Sequence, residues 1–184
     1  SADTNPMLSS RTATITFSNG ISPNQVCNVV QSGLRGNALA FDGYDDYVIT
    51  QHPAGAIGNA ISISTWLKWE PSAPNEIDFI CGNLLEQLEI HTGATDNNLR
   101  FIPTDGVYLD AGPVLPVNEW AHILCSYSVN PPEAHIWVNG VEQSISNNGH
   151  NPVGTAFAAN LSSFYLGRRG DSTYYFRGCL DEFS

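Results

Sequence analysis

The chain has 184 residues, 42% of them hydrophobic, enough to close one core of the size a β-sandwich needs. Lys and Arg total 7 against 18 Asp and Glu, a formal charge of -11, so a nucleic-acid phosphate backbone or an anionic membrane would be repelled. An acidic surface suits divalent cations, neutral sugars or basic partners, or serves only to keep the domain soluble.

The chain opens on the polar stretch SADTNPMLSS and stops in the apolar-patterned GCLDEFS. One domain over 1–184 is therefore expected, excised from a larger secreted or surface protein. Along it the recurring signal is alternation with period two, the pattern of a half-buried strand. TATITF (12–17) alternates and is followed by Asn19-Gly20. In ISISTWLKW (61–69), Ile61, Ile63, Thr65, Leu67 and Trp69 share one face, and Ser62, Ser64, Trp66 and Lys68 the other. LEIHT (88–92) sets Leu88 and Ile90 against Glu89 and His91, which reads as a strand with a solvated polar face. After Asp105-Gly106, AHILCSYS groups Ala121, Ile123, Cys125 and Tyr127, and beyond Pro131-Pro132, AHIWVNG groups Ala134, Ile136 and Val138. Asn139-Gly140 tolerates the positive φ angles of a type I′ turn, so a hairpin is expected there. SFYLGR (163–168) is the last clear strand before the closing segment. Short strands punctuated by Gly, Pro and Asn predict an all-β fold of two antiparallel sheets covering each other's apolar faces.

Cys27, Cys81, Cys125 and Cys179 form no CxxC pair, which argues against a zinc knuckle. Four cysteines allow three disulfide pairings. Cys81 and Cys125 lie in apolar strand-like runs and read equally well as small buried hydrophobes.

Four segments in order resemble the laminin G-like, concanavalin A-like jelly-roll family: GNALAFDGYDDYVIT (36–50), ISISTWLKW (61–69), NEWAHILCSYS with AHIWVNGVEQ (118–143), and FYLGRRG with FRGCLDEFS (164–184). The resemblance implies a two-sheet antiparallel β-sandwich. It also implies a role in recognising a glycan or cell-surface protein, often within an adhesin or appended to a glycan-active enzyme; an extracellular, non-catalytic binding module, monomeric in isolation, is the expectation. The alternatives are a catalytic or accessory module of a polysaccharide-degrading enzyme, or a structural spacer.

Asp42, Asp45 and Asp46 crowd one Gly-containing turn, and Asp181 lies in the closing segment that such folds place against early strands. These four are the candidate ligands of a structural calcium ion, which takes six to eight oxygens. The competing reading is that Asp42 and Asp45 cap turns through their own backbone. Glycan hydrolases with this sandwich use paired carboxylates on one strand face. Glu76-Ile77-Asp78 begins such a pattern, but Phe79, Ile80 and Cys81 follow, so catalysis is not expected. There is no G-x-S-x-G nucleophile motif, and His122 and His135 alternate with core-facing neighbours as structural histidines do. Trp66 and Trp137 read as structural. The segment RRGDSTYYFRG gathers Tyr174, Tyr175, Arg168, Arg169 and Arg177, a Tyr- and Arg-rich loop that supplies stacking and hydrogen bonds together, and these five are the candidate ligand-binding residues. It contains Arg169-Gly170-Asp171, a short integrin-type match of little weight, and Asn160-Leu161-Ser162 fits the N-glycosylation pattern.

Overall fold

The computed structural model describes residues 38–50, 58–72, 76–83, 87–93, 98–149, 151–157 and 163–184, and the backbone alone of 11–17 and 25–31. The chain divides into two compact units, Ser1–Asn37 and Ala38–Ser184. In the first, β1 (Arg11–Phe17) pairs antiparallel with β2 (Gln25–Gln31), in a register that sets Ile15 opposite Cys27. The expected strand at 12–17 is β1; the turn signal Asn19-Gly20 lies outside the described residues.

The second unit holds two antiparallel sheets. The back sheet has the order β12-β11-β10-β5-β15-β3 and the front sheet the order β13-β9-β8-β7-β6-β14-β4. In the back sheet the strands are β3 (Leu39–Asp42), β5 (Ala60–Trp69), β10 (Trp120–Ser128), β11 (Glu133–Val138), β12 (Val141–Glu142) and β15 (Arg177–Asp181). In the front sheet they are β4 (Val48–Thr50), β6 (Phe79–Gly82), β7 (Glu89–Thr92), β8 (Leu99–Ile102), β9 (Leu109–Asp110), β13 (Ser146–Asn147) and β14 (Phe164–Leu166). This is the sandwich the alternation predicts.

Period two decides what meets between the sheets. Ile63, Leu67 and Trp69 of β5 and Ala121, Ile123, Cys125 and Tyr127 of β10 point inward. From the other side come Ile90 of β7, Leu99 and Phe101 of β8, and Leu109 of β9. Each such aliphatic or aromatic side chain removed from water contributes roughly 1.5–3 kcal/mol. Asn139 and Gly140 take φ of 51° and 76° and turn β11 into β12, with Val138 opposite Val141, as their sequence predicts.

Cys81 and Cys125 are fully buried core residues, and burial pushes both thiols up; with Cys179 they are free among the described residues. Trp66 and Trp137 are half-buried on the outer face of the back sheet, where Trp66 lies 5.4 Å from the His122 ring and Trp137 stacks on His135 at 5.1 Å. His135 Nδ1 also meets Glu142 at 2.6 Å. Both histidines are thus packed sheet-surface residues.

Candidate binding cleft

The front sheet aligns one row of side chains on its outer face. Phe79 of β6 is opposite His91 of β7, His91 opposite Arg100 of β8, and Arg100 opposite Asp110 of β9. Neighbouring strands lie about 4.8 Å apart, so the row runs about 14 Å across the sheet. Phe79 reaches this face because the register shifts between Phe79 and Cys81: strict alternation would put both on one side, whereas Cys81 packs into the core opposite Ile90. A bulge re-aims a side chain in this way. Glu89 belongs to the next row, opposite Ile102.

Glu89 is 2% exposed and His91 5%. The expectation of a solvated polar face on β7 is therefore corrected. The loop between β14 and β15 covers the face: Arg169 Nε lies 3.7 Å from Glu89 Oε1, and Tyr174 lies beside it with Arg169 6.0 Å from its ring centre. That loop is tightly tied. Arg169 N donates to the Thr173 carbonyl, Ser172 N donates to the Arg169 carbonyl, and the Asp171 carboxylate accepts from Thr173 N. Ser172 and Tyr174 take φ of 63° and 54°, left-handed conformations that non-glycine residues hold only where the surroundings dictate them. Gly167 begins the loop at φ +84°, where a Cβ would lie 2.3 Å from the Phe41 ring.

Between loop and sheet lies a cleft of about 150 Å³. Phe79, Glu89, His91, Arg100 and Ile102 form its floor, and Ile77, Tyr108, Arg169 and Tyr174 its walls. Its ionic groups are matched. Arg100 donates from Nε to Asp110 Oδ1 at 2.6 Å and from Nη2 to Oδ2 at 2.9 Å, the fork-to-fork geometry that gives the strongest pairs. Asn148 Nδ2 donates to the same carboxylate at 2.6 Å. Burial alone would raise the Asp110 carboxyl, but the bonds from Arg100 and Asn148 outweigh it and hold it below its usual range. Burial lowers the His91 imidazole to about 4, helped by the Arg100 and Arg169 charges and opposed by its contact with the Thr92 carbonyl and by Asp110. His91 is consequently neutral at pH 7, its ring stacked on Phe79 at 6.2 Å.

Of the five candidate ligand-binding residues, Arg169 and Tyr174 line this cleft. Arg168 instead places its guanidinium 3.6 Å above the Tyr47 ring and donates to Ser172 Oγ. Tyr175 is half-buried and bridges to Arg168. Arg177 belongs to the back sheet, opposite Asp42 and 3.8 Å from Glu70. The sequence reading missed Glu89, His91, Arg100 and Asp110 as a set; their alternation on β7 to β9 was the available signal. In the Arg169-Gly170-Asp171 match, Arg169 turns toward Glu89, and exposed Asp171 accepts from Thr173 N within the loop. The Asn160-Leu161-Ser162 pattern lies outside the described residues.

The Asp42, Asp45 and Asp46 carboxylates lie within 4.8 Å of one another on an exposed turn. Asp42 Oδ1 accepts from Tyr44 N at 2.8 Å and Asp45 N at 3.3 Å, bonds that hold its carboxyl below its usual value, and Asp46 Oδ2 accepts from Asp42 N at 3.1 Å. Asp181 is not brought to them. Arg177 is the residue opposite Asp42, and Asp181 stands four positions further along β15, about 13 Å away by strand rise. Its Oδ1 accepts from Glu182 N. In the Glu76-Ile77-Asp78 segment, Glu76 is exposed, and Asp78 is buried and engaged by Trp69 Nε1 at 2.8 Å and Ser72 Oγ at 2.5 Å.

Among the described residues, no helix is long and apolar enough to cross a membrane. Several solved structures share the fold. A Bacteroides ovatus protein described as carbohydrate binding superimposes with a TM-score of 0.60 at 18% identity, over 87% of this chain and 50% of that one. The chain thus spans about half of that protein's length. The Ruminococcus gnavus sialidase module CBM40, bound to α2,3-sialyllactose, matches with a TM-score of 0.55 at 13% identity, over 79% of this chain and 86% of that one. Domains LG4-5 of the mouse laminin α1 chain match at 0.52 and 14% identity, over 88% of this chain and 43% of that one. No curated protein sequence matches significantly. The family model described as the concanavalin A-like lectin/glucanases superfamily, of laminin G type, matches residues 42–184, and the chain belongs to that family.

Proposed function

We propose that this chain is a non-catalytic, extracellular carbohydrate-binding module that holds a glycan in the front-sheet cleft. The observation that carries the reading is the row of buried His91, half-buried Arg100 and buried Asp110, with Glu89 and Arg169 beside it, under an exposed Tyr174. Sugar recognition needs donors and acceptors fixed side by side and an aromatic surface for the ring's C–H face, and ligand sites combine apolar walls with a few convergent polar groups. The carbohydrate-binding relatives with the same fold support it. A hydrolase would need one carboxylic acid held protonated near neutrality. Asp110 is held in the opposite direction, and Glu89 faces Arg169.

A glycan array probed with the wild-type protein and with Tyr174→Ala tests this. Tyr174 is 44% exposed, so its removal spares the core. The expected result is a defined set of glycan ligands, with affinity reduced roughly tenfold in the variant, about 1.4 kcal/mol. Sugar release by the wild type, or ligands retained at full affinity by Tyr174→Ala, contradicts the reading. Silence across the array favours a protein ligand or a spacer role.

Structural calcium at Asp42, Asp45 and Asp46 is part of the same proposal. Three carboxylates would provide part of a shell that water and carbonyl oxygens complete. At ten to a hundred times its dissociation constant, calcium would add about 1.4–2.7 kcal/mol and raise Tm by about 3–11 °C over a chelated sample. The rise should vanish in Asp45→Asn/Asp46→Asn; an equal Tm with and without calcium removes the ion from the account.

A further inference from the structure

We infer that the cleft takes a single uncharged, hydroxyl-bearing six-membered sugar ring and selects against uronic and sialic acids. This rests on the carbohydrate reading above and adds the ligand's size and charge.

Size follows from volume. The cleft measures about 150 Å³, small against the roughly 300–1,000 Å³ of sites that bury a drug-sized ligand. It therefore has room to engage about one sugar ring, and the rest of a glycan would lie outside it.

Charge follows from the pairing. The cleft contains two guanidinium groups, and each already faces a carboxylate that is itself buried: Arg100 with Asp110, side chain 5% exposed, and Arg169 with Glu89, side chain 3% exposed. The carboxylate of an acidic sugar would be stripped of water beside two ion pairs whose charges already cancel, so little net attraction offsets the cost of its burial. His91, neutral at pH 7, offers no compensating charge. A neutral sugar meets none of these costs. Its hydroxyls both donate and accept, so one hydroxyl can give a bond to a Glu89 oxygen while receiving one from Arg100 or Arg169, with the ion pairs intact. Tyr174 and Tyr108 supply ring faces for the sugar's C–H edge.

Titration calorimetry with methyl glycosides of glucose, galactose, mannose, fucose and xylose, with glucuronate and galacturonate as matched acids and with N-acetylneuraminic acid, decides the point. At least one neutral glycoside should bind ten times or more tighter than its matched acid. Extending it to a tetrasaccharide should change affinity less than threefold. Glu89→Gln, which removes the carboxylate facing Arg169, should narrow the neutral-to-acid ratio at least fivefold; if that variant does not fold, the wild-type ratios decide alone. An acid that binds as tightly as its neutral counterpart overturns the charge assignment, and affinity rising more than tenfold from one ring to four overturns the single-ring assignment. Either result leaves carbohydrate binding standing, whereas binding of no sugar in the series or on the array removes both.

Discussion

Replacing Arg100 with methionine is expected to lower stability by about 2–3 kcal/mol and to abolish ligand binding in the same protein. Methionine keeps most of the side-chain volume over Tyr108 but provides no partner for Asp110, whose bidentate bonds from Arg100 measure 2.6 and 2.9 Å. Breaking a fully buried pair by removing one member costs about 3–5 kcal/mol. The Arg100 side chain is 32% exposed, so water can partly resolvate Asp110 and the expected cost is lower. For a domain of this size that corresponds to a fall in Tm of about 5–10 °C, measurable by calorimetry. Arg100→Met/Asp110→Leu should recover most of this loss, because replacing both partners of an ion pair with apolar groups is often neutral, yet binding should stay lost. A double variant as unstable as the single one would mean that the pair is not the source of the cost.

Folding stability should fall by about 3 kcal/mol between pH 6.5 and pH 4 through His91 alone. The unfolded imidazole titrates near 6.5, and in the native state burial lowers it to about 4. Between these values the unfolded chain binds a proton that the native protein excludes, so stability is fully present above pH 6.5 and is lost as pH falls toward 4. A difference of about 2.5 pH units at 1.36 kcal/mol each sets the size. Urea unfolding across this range should show the slope in the wild type and a much flatter one in His91→Gln. Equal slopes in the two proteins would mean that His91 titrates normally in the folded state.

The sequence reading succeeds where the information is local. Period-two alternation identifies β5, β10 and β11 and their inward faces residue by residue, and Asn139-Gly140 places the hairpin, because one pleated surface and one turn type decide each. The crowding of Asp42, Asp45 and Asp46 is legible for the same reason: one short turn contains all three. The fate of Asp181 is not, since it depends on the register of β15 against β3. The cleft is the least legible feature. Alternation reveals that Glu89 and His91 face away from the core, but what covers that face comes from Arg169 and Tyr174, some 80 positions along the chain. Phe79 enters the row only through a bulge that no simple pattern signals. The Tyr- and Arg-rich loop likewise draws attention by composition, yet its residues separate once folded: Arg169 and Tyr174 to the cleft, Arg168 to Tyr47, and Arg177 to the back sheet. Composition finds the loop, and topology sorts its side chains.

The Arg100–Asp110 and Arg169–Glu89 pairs hold the polar side chains of the cleft in fixed positions before ligand arrives, with their mutual attraction offsetting part of the cost of desolvation. A preorganised site loses less on binding than one that must assemble.

The most direct test is an amide chemical-shift map of the wild-type protein titrated with whichever sugar binds best on the array. Saturable shifts are expected, concentrated at Phe79, 89–91, 100–102, 108–110 and 169–174. Shifts confined to the outer face of the back sheet around Trp66, His122 and Trp137, with β7 to β9 unmoved, would contradict glycan binding in the cleft.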